Sequence, residues 1–237
     1  MNKFLQTSVA AAALIVASGA FAQKAGDNIF SVGIASVNPD ASMGPLTATE
    51  PHVQGALTNS TANAGSTTTL SLGWLHMYTD NFGMEGTIGI PPKISMDLYT
   101  PYTTLKNHPD GASAKVLTPT AIAKYFFNTP QDKVRPYVGL GVSRIMFQSV
   151  SAKTSDPEIA AIANTSSSLS ASWAPVYNAG VIYNFDDRWS INGSVTYIPI
   201  TTTATFSGPG VGAGAAVTTG DLKLNTTDYV IRLGYRF

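Results

Sequence analysis

Along the last ten residues the chain alternates strictly. Tyr229, Ile231, Leu233, Tyr235 and Phe237 share one face of an extended strand, and Asp228, Val230, Arg232, Gly234 and Arg236 share the other. A soluble sheet hides its apolar face and shows its charges. Here the apolar face is tipped with aromatics while the opposite face carries two arginines and an aspartate, so the pattern predicts an apolar outside. An outward apolar face needs lipid around it, and strands survive in lipid only as a closed barrel.

The same period recurs seven more times. Alternation predicts strands at about Ile29–Val37, Thr69–Thr79, Phe82–Ile90, Val116–Phe127, Arg135–Phe147, Ser172–Asn184, Trp189–Ile200 and Leu224–Phe237. The count is even, and the lengths bracket the roughly 9–11 residues that a tilted strand needs to cross a bilayer. Connections alternate in kind. Asp80-Asn81, 128–134 and 185–188 are short and rich in Asn and Asp, while 38–68, 91–115, 148–171 and 201–223 are long. The predicted fold is therefore all-β: an eight-stranded antiparallel up-and-down transmembrane β-barrel with short periplasmic turns and four long extracellular loops. Within the third loop, Asp156-Pro157-Glu158 before IAAIAN predicts one short helix.

Outward positions include Phe30, Val32, Ile34, Leu70, Leu72, Trp74, Val138, Leu140, Val142, Ile191, Val195 and Tyr197. Their inward partners, such as Ser31, Gly33, Ser71, Gly73, Gly139, Gly141, Asn192 and Ser194, are small or polar, which suits a narrow bore. A soluble lipocalin-like barrel would instead bury large apolar side chains inside. Tyr78, Tyr125, Tyr183, Trp189, Tyr235 and Phe237 gather near the short-turn rim, where an aromatic girdle belongs.

Composition agrees with a lipid-facing wall. Charged residues make up 12% of the 237, about half the roughly 25% of soluble domains. Lys3, the apolar run Val9–Val16 and the Ala20-Phe21-Ala22 cleavage pattern predict a signal peptide over 1–22, leaving 23–237 as one barrel domain. Without Lys3, 13 basic residues face 14 acidic ones, a charge of −1, which offers nothing to a nucleic acid. Cysteine is absent, so no disulfide framework or thiolate metal site can form. His52, His76 and His108 lack metal-ligand spacing, Gly139-Leu140-Gly141 is followed by Arg144 where a dinucleotide fingerprint needs glycine, and no G-x-S-x-G occurs. Neither an enzyme nor a cofactor is expected.

The inward residues carry the candidate chemistry. Glu85, Lys124, Asn192 and Arg232 fall at a similar height in the half near the short turns, with Asp228 above Arg232. They form a candidate lumen-closing layer, either ion-paired or a scattered set of solvated groups. Above them the inward phase turns apolar at Ile122, Ile145, Val176, Ile198 and Ile200, which predicts a greasy funnel opening outward. A solute blocked below needs a side exit. Pro119, Pro175 and Pro199 fall inside predicted strands near the upper rim, and proline weakens a ladder. They mark either a lateral opening or merely the end of regular pairing. Arg144 points outward by alternation, where it would snorkel to anionic headgroups, or inward if a bulge intervenes.

Several segments resemble the OmpW family: Tyr78-Thr79-Asp80-Asn81-Phe82-Gly83-Met84-Glu85, Val134-Arg135-Pro136-Tyr137-Val138-Gly139-Leu140-Gly141, and the closing Leu233-Gly234-Tyr235-Arg236-Phe237. Arg144-Ile145-Met146-Phe147, Trp173-Ala174-Pro175 and Tyr197-Ile198-Pro199-Ile200 resemble its alkane-uptake branch, AlkL. The resemblance implies a Gram-negative outer-membrane barrel that passes small hydrophobic solutes and releases them sideways through the wall. Outer-membrane lipid and lipopolysaccharide would surround it. It further implies that Tyr235 and Phe237 form the terminal signal read by the outer-membrane assembly machinery. The alternative is a structural or adhesion barrel whose loops bind partners without transport.

Overall fold

The computed structural model describes residues 23–44, 46–56, 60–100, 106–210 and 215–237. The expected signal peptide at 1–22 and part of the glycine-rich tip at 208–216 lie outside them. Eight strands form the wall: β1 (Asn28–Met43), β2 (Thr67–Met77), β3 (Phe82–Gly89), β4 (Thr120–Phe126), β5 (Val134–Ala152), β6 (Ser172–Asn184), β7 (Trp189–Ile198) and β8 (Ala216–Arg236). Each pairs antiparallel with the next. Pairing of β1 with β8, from Ile29↔Arg236 to Met43↔Leu222, closes the ring. Closure leaves the wall without an edge, which is what lets a sheet stand in hydrocarbon.

Side-chain phase follows the sequence pattern. Phe30, Ile34, Trp74, Leu140, Val195 and Ile231 are exposed, while their inward neighbours Ser31, Ser71, Ser143, Asn192 and Arg232 are buried. At the short-turn rim Trp189 meets Tyr235 edge-on with centroids 4.9 Å apart, and Tyr125 meets Phe127 at 5.4 Å. The turns use the chemistry their composition announces. Asp186 Oδ1 accepts from the backbone N–H of Arg188 and Trp189 (2.8 and 2.7 Å), and Asn81 Nδ2 donates to the carbonyls of Phe126 and Asn128 (2.8 and 2.9 Å).

The long connections hold more structure than expected. Lys93–Thr100 and Lys106–Leu117 form a hairpin that continues the wall upward and pairs with the upper part of β5. Thr61–Ala64 adds to it, and Thr201–Gly208 pairs with the top of β8 and with Ser166–Leu169. Apart from Ile94, Met96 and Leu98 of the hairpin, these segments are rich in Thr, Ser and Ala, so the apolar contrast that exposes a strand in sequence is faint there. Among the described residues two helices complete the cap: α1 (Pro51–Ala56), which was not expected, and the expected α2 (Pro157–Ala163). Asp156 caps α2 by accepting from the Glu158 N–H at 3.0 Å, and Pro157 occupies its first turn.

Two strand expectations need correction. Val116–Phe127 is not one strand, because it breaks at Thr118-Pro119 between Leu117 and Thr120. Likewise Trp189–Ile200 ends at Ile198, leaving Pro199 outside. Pro175 alone stays inside its strand. A prolyl nitrogen has no hydrogen to donate, so at the first two sites regular pairing lapses on one side, while on the other the Arg144 N–H donates to the Pro119 carbonyl (3.0 Å) and the Leu224 N–H to the Ile200 carbonyl (2.8 Å).

Candidate functional site

From the short-turn rim upward, the bore is closed in successive levels. Lowest is Arg135, fully buried, whose guanidinium donates to the carbonyls of Gln23 and Asp80 (both 2.6 Å) and lies over the Phe126 ring. Sequence reasoning left Arg135 unassigned, although an inward arginine opening a wall strand was a legible oddity. Above it Ile29, Leu75, Met77, Phe126, Tyr137 and Ile182 form an apolar plug. The Tyr137 ring fills space that Gly180 leaves open, since a Cβ there would stand 2.5 Å from the Tyr137 Oη.

On the plug rests the charged layer. Glu85, 4% exposed, accepts from Lys124 Nζ at 2.6 Å and Arg232 Nη1 at 3.0 Å, while Arg232 Nε donates to Ser71 Oγ at 3.0 Å. Three charges from strands β3, β4 and β8 thus meet in the lumen, where the sequence left ion pairing and scattered solvation both open. Gly73 makes room for them, because a Cβ at that position would meet Arg232 Nη1 and Ser31 Oγ at 2.7 Å. Lys124 Nζ also sits 4.2 Å from the Tyr137 ring centroid, joining the charged layer to the plug.

The other two expected members of this layer stand apart from the triad. Asn192, although registered against Arg232, accepts from the Tyr137 hydroxyl at 2.9 Å. Asp228 makes no ion pair among the described residues and lines the space above the triad. The reason is reach. Arg232 is spent on Glu85 and Ser71, and Asp228 lies a full four residues up the same strand.

Above the triad Ile122, Ile145, Val176, Ile198 and Ile200 do come together. They pack with Ile94, Met96, Ala112, Val116, Ala174, Leu222 and Leu224 into one buried cluster, to which the connecting segments supply Ile94, Met96, Ala112, Val116 and Ile200. Between triad and cluster lies a cavity of about 90 Å³. Glu85 and Arg232 form its floor; Ile122, Ile198, Ile200 and Leu224 line its upper part. A smaller apolar cavity of about 30 Å³ sits under the cap among Leu46, Leu98, Ile159 and Phe206.

The larger cavity reaches the wall where the ladder fails. Pairing of β3 with β4 ends at Thr87↔Thr120. It resumes only where the Val116 N–H donates to the Pro92 carbonyl (3.1 Å) and Lys93 pairs with Lys115. Between these points Ile88–Pro91 face Leu117–Pro119 with no registered pair. Thr87, Ile88 and Thr120 line both the inner cavity and a groove on the outer wall formed with Phe30, Leu72, Trp74, Pro119 and Val142. Arg144 and Trp173 border that groove, with the guanidinium 5.2 Å from the indole centroid, so Arg144 faces outward as alternation predicted.

A second interruption involves the other two prolines. Pairing of β6 with β7 ends at Tyr177↔Tyr197, leaving Ala174–Val176 opposite Ile198–Ile200 with Pro175 and Pro199 on its two sides. Behind this seam Ala174, Val176 and Ile198 are buried in the apolar cluster.

On the cap, His108 is buried and bonds Asp156 Oδ2 through Nδ1 (2.6 Å) and Glu158 Oε2 through Nε2 (3.3 Å), tying the second long connection to α2. Burial works against the Asp156 charge, but the His108 bond and the backbone N–H groups of Glu158 and Ile159 outweigh it and hold this carboxyl below its ordinary value. At the terminus Arg236 pairs with Asp27 at 3.0 Å, the Tyr235 hydroxyl accepts from Arg188, and Phe237 is exposed.

A closed ring of eight tilted strands with an apolar, aromatic-rimmed outside and a plugged polar inside is an outer-membrane β-barrel. The sequence profile of the OmpW family matches residues 24–237, and the chain belongs to that family. It is 32% identical to outer membrane protein W of Vibrio cholerae serotype O1, over 98% of this chain and 99% of that protein. Outer membrane protein AlkL of Ectopseudomonas oleovorans is 26% identical over 64% of this chain and 60% of its own length. Among solved structures, outer membrane protein OprG of Pseudomonas aeruginosa superposes with a TM-score of 0.77 at 25% identity, covering 92% of this chain and 99% of that one. The protein resides in the outer membrane of a Gram-negative bacterium, with its short turns periplasmic and its long connections outside.

Proposed function

We propose that this barrel is a passive conduit for small hydrophobic molecules, which enter through the extracellular cap and leave sideways through the wall between β3 and β4. The observation that carries the reading is the unpaired stretch Ile88–Pro91 against Leu117–Pro119, with Thr87, Ile88 and Thr120 shared by the inner cavity and the outer groove. Downward passage is opposed by the Glu85–Lys124–Arg232 layer, the apolar plug and Arg135. An apolar solute would have to strip two buried ion pairs to pass, whereas the lateral route offers it hydrocarbon. Leu98 packs against the buried cluster and lines the cap cavity, which makes the Ile94–Leu98 segment the step between the two cavities. In this reading Ile122, Ile198 and Ile200 line the route, Pro119 borders the exit, and Tyr235 and Phe237 serve assembly.

The test is hydrocarbon uptake by cells lacking the protein, with and without this gene. Uptake should rise with the gene and fall back in Ile198→Asp, which places an unpaired carboxylate on the route. Gene-independent uptake would sink the conduit and leave the loop-binding barrel. Normal uptake by a correctly inserted Ile198→Asp protein would remove Ile198 from the route.

A further inference from the structure

The cavity above the triad is not uniformly apolar. Asn178, Thr196 and Asp228 stand in one rung across three neighbouring strands, because Asn178 registers against Thr196 on β7 and Thr196 against Asp228 on β8. All three line the cavity. Residues directly opposite on antiparallel strands lie about 4.5–5.5 Å apart at Cα, so a group placed over Thr196 is within reach of both flanking side chains.

The bonding of this rung is one-sided. Asn178 is 7% exposed, and its Nδ2 donates to the Thr196 Oγ1 at 2.9 Å and to the Val195 carbonyl at 3.2 Å. The carbonyl can only accept, so the amide nitrogen must face it, and both N–H hydrogens are spent. The amide oxygen of Asn178 is buried without a hydrogen-bond partner among the described residues, and so is Oδ1 of Asp228. The nearest cations do not serve them: Lys124 and Arg232 are engaged by Glu85.

We propose that the Asn178–Thr196–Asp228 rung is a hydrogen-bond-accepting subsite that selects hydrophobic molecules ending in an N–H or O–H donor. The proposal deepens the conduit reading and rests on it. An amine head seated over Thr196 satisfies both oxygens and a hydroxyl head satisfies that of Asn178, while the chain lies against Ile198, Ile200 and Leu224. A carboxylate head would bring a third acceptor to two that already lack donors, and a bare alkane leaves both unsatisfied.

The test compares octylamine, 1-octanol, octanoate and octane as ligands for the purified full-length barrel in lipid, with cellular uptake of the same four followed in parallel. Wild type should bind the amine and the alcohol about tenfold more tightly than octane or octanoate. Asn178→Val should bring both down to the octane level, and Asp228→Asn should weaken the amine about tenfold while sparing the alcohol. Neither residue belongs to the triad, so an unchanged urea midpoint verifies the fold; Asn178→Ser substitutes if the valine variant fails to insert. Equal wild-type affinity for all four, or a preference that survives both Asn178→Val and Asn178→Ser, overturns the subsite and leaves only ordinary solvation of polar wall groups. Octane uptake that depends on the gene but shows no preference for donors overturns the subsite alone. Donor-selective binding without gene-dependent uptake of any of the four overturns the conduit reading and keeps the subsite.

Discussion

Two seams in the upper wall look alike in sequence and differ in what stands behind them. Between β3 and β4 the ladder stops at Thr87↔Thr120 next to Pro119, and the inner cavity meets the outer groove there. Between β6 and β7 it stops at Tyr177↔Tyr197 with Pro175 and Pro199 on its two sides, but Ala174 and Val176 fill the space inside and neither lines the cavity. A missing N–H weakens a wall in both places. Only an unfilled interior turns weakness into a path, because lost pairing is readily covered by close-packed side chains.

Both seams stand on the same floor, so its removal should have the largest effect. Glu85→Ala leaves Lys124 and Arg232 buried and unpaired, at a cost of about 3–5 kcal/mol. A lowered urea midpoint in lipid vesicles measures it, and the barrels that still insert should gain ion conductance. Retention of the wild-type midpoint would mean that the triad is not what closes the bore.

Next comes the packed seam. Val176→Ala removes two methyl groups from a fully buried site, at a cost of about 2 kcal/mol. If packing is what keeps this seam shut, the variant should also admit hydrocarbon faster than wild type does. Destabilisation without faster uptake would assign the closure to the β6 and β7 backbones instead.

At the open seam, Thr118→Trp places an indole where the cavity meets the break and should cut hydrocarbon uptake about tenfold, worth about 1.4 kcal/mol on the rate. The comparison variant Pro175→Ala should leave uptake within about twofold. Equal losses in the two would erase the distinction between the seams.

The smallest effect belongs to the cap over both. The Asp156 carboxyl sits below its ordinary value of 3.8 in the folded cap. A lowered folded-state pKa contributes stability above the unfolded value and loses it as pH falls through the folded one, so the contribution is present above about pH 3.8 and disappears below it. Hydrogen exchange at α2 should therefore accelerate only in that acid range, and Asp156→Asn should flatten the profile. Acceleration at higher pH would point to a group other than Asp156.

Much of this architecture was legible in the chain. Alternation with aromatic tips placed the apolar face outside, located every wall strand and put Glu85, Lys124 and Arg232 at one height. Those signals are local, since a period of two fixes which face a residue takes whatever its neighbours are. What the chain could not announce was partnership. Asp228 and Arg232 share a strand face, yet Arg232 reaches Glu85 and Ser71 across the lumen. Ile94, Met96 and Leu222, read as parts of loops, complete the cluster begun by Ile122 and Ile198. Their apolar character was visible, but not the hairpin and strand that carry them inward.

The prolines mark the same boundary. Sequence alone determined that Pro119, Pro175 and Pro199 lie where the ladder is weak, because proline has no N–H to give. Which of them borders a passage was decided only by the closed barrel, where register across eight strands sets which side chains share an interior level and how much of that level they fill.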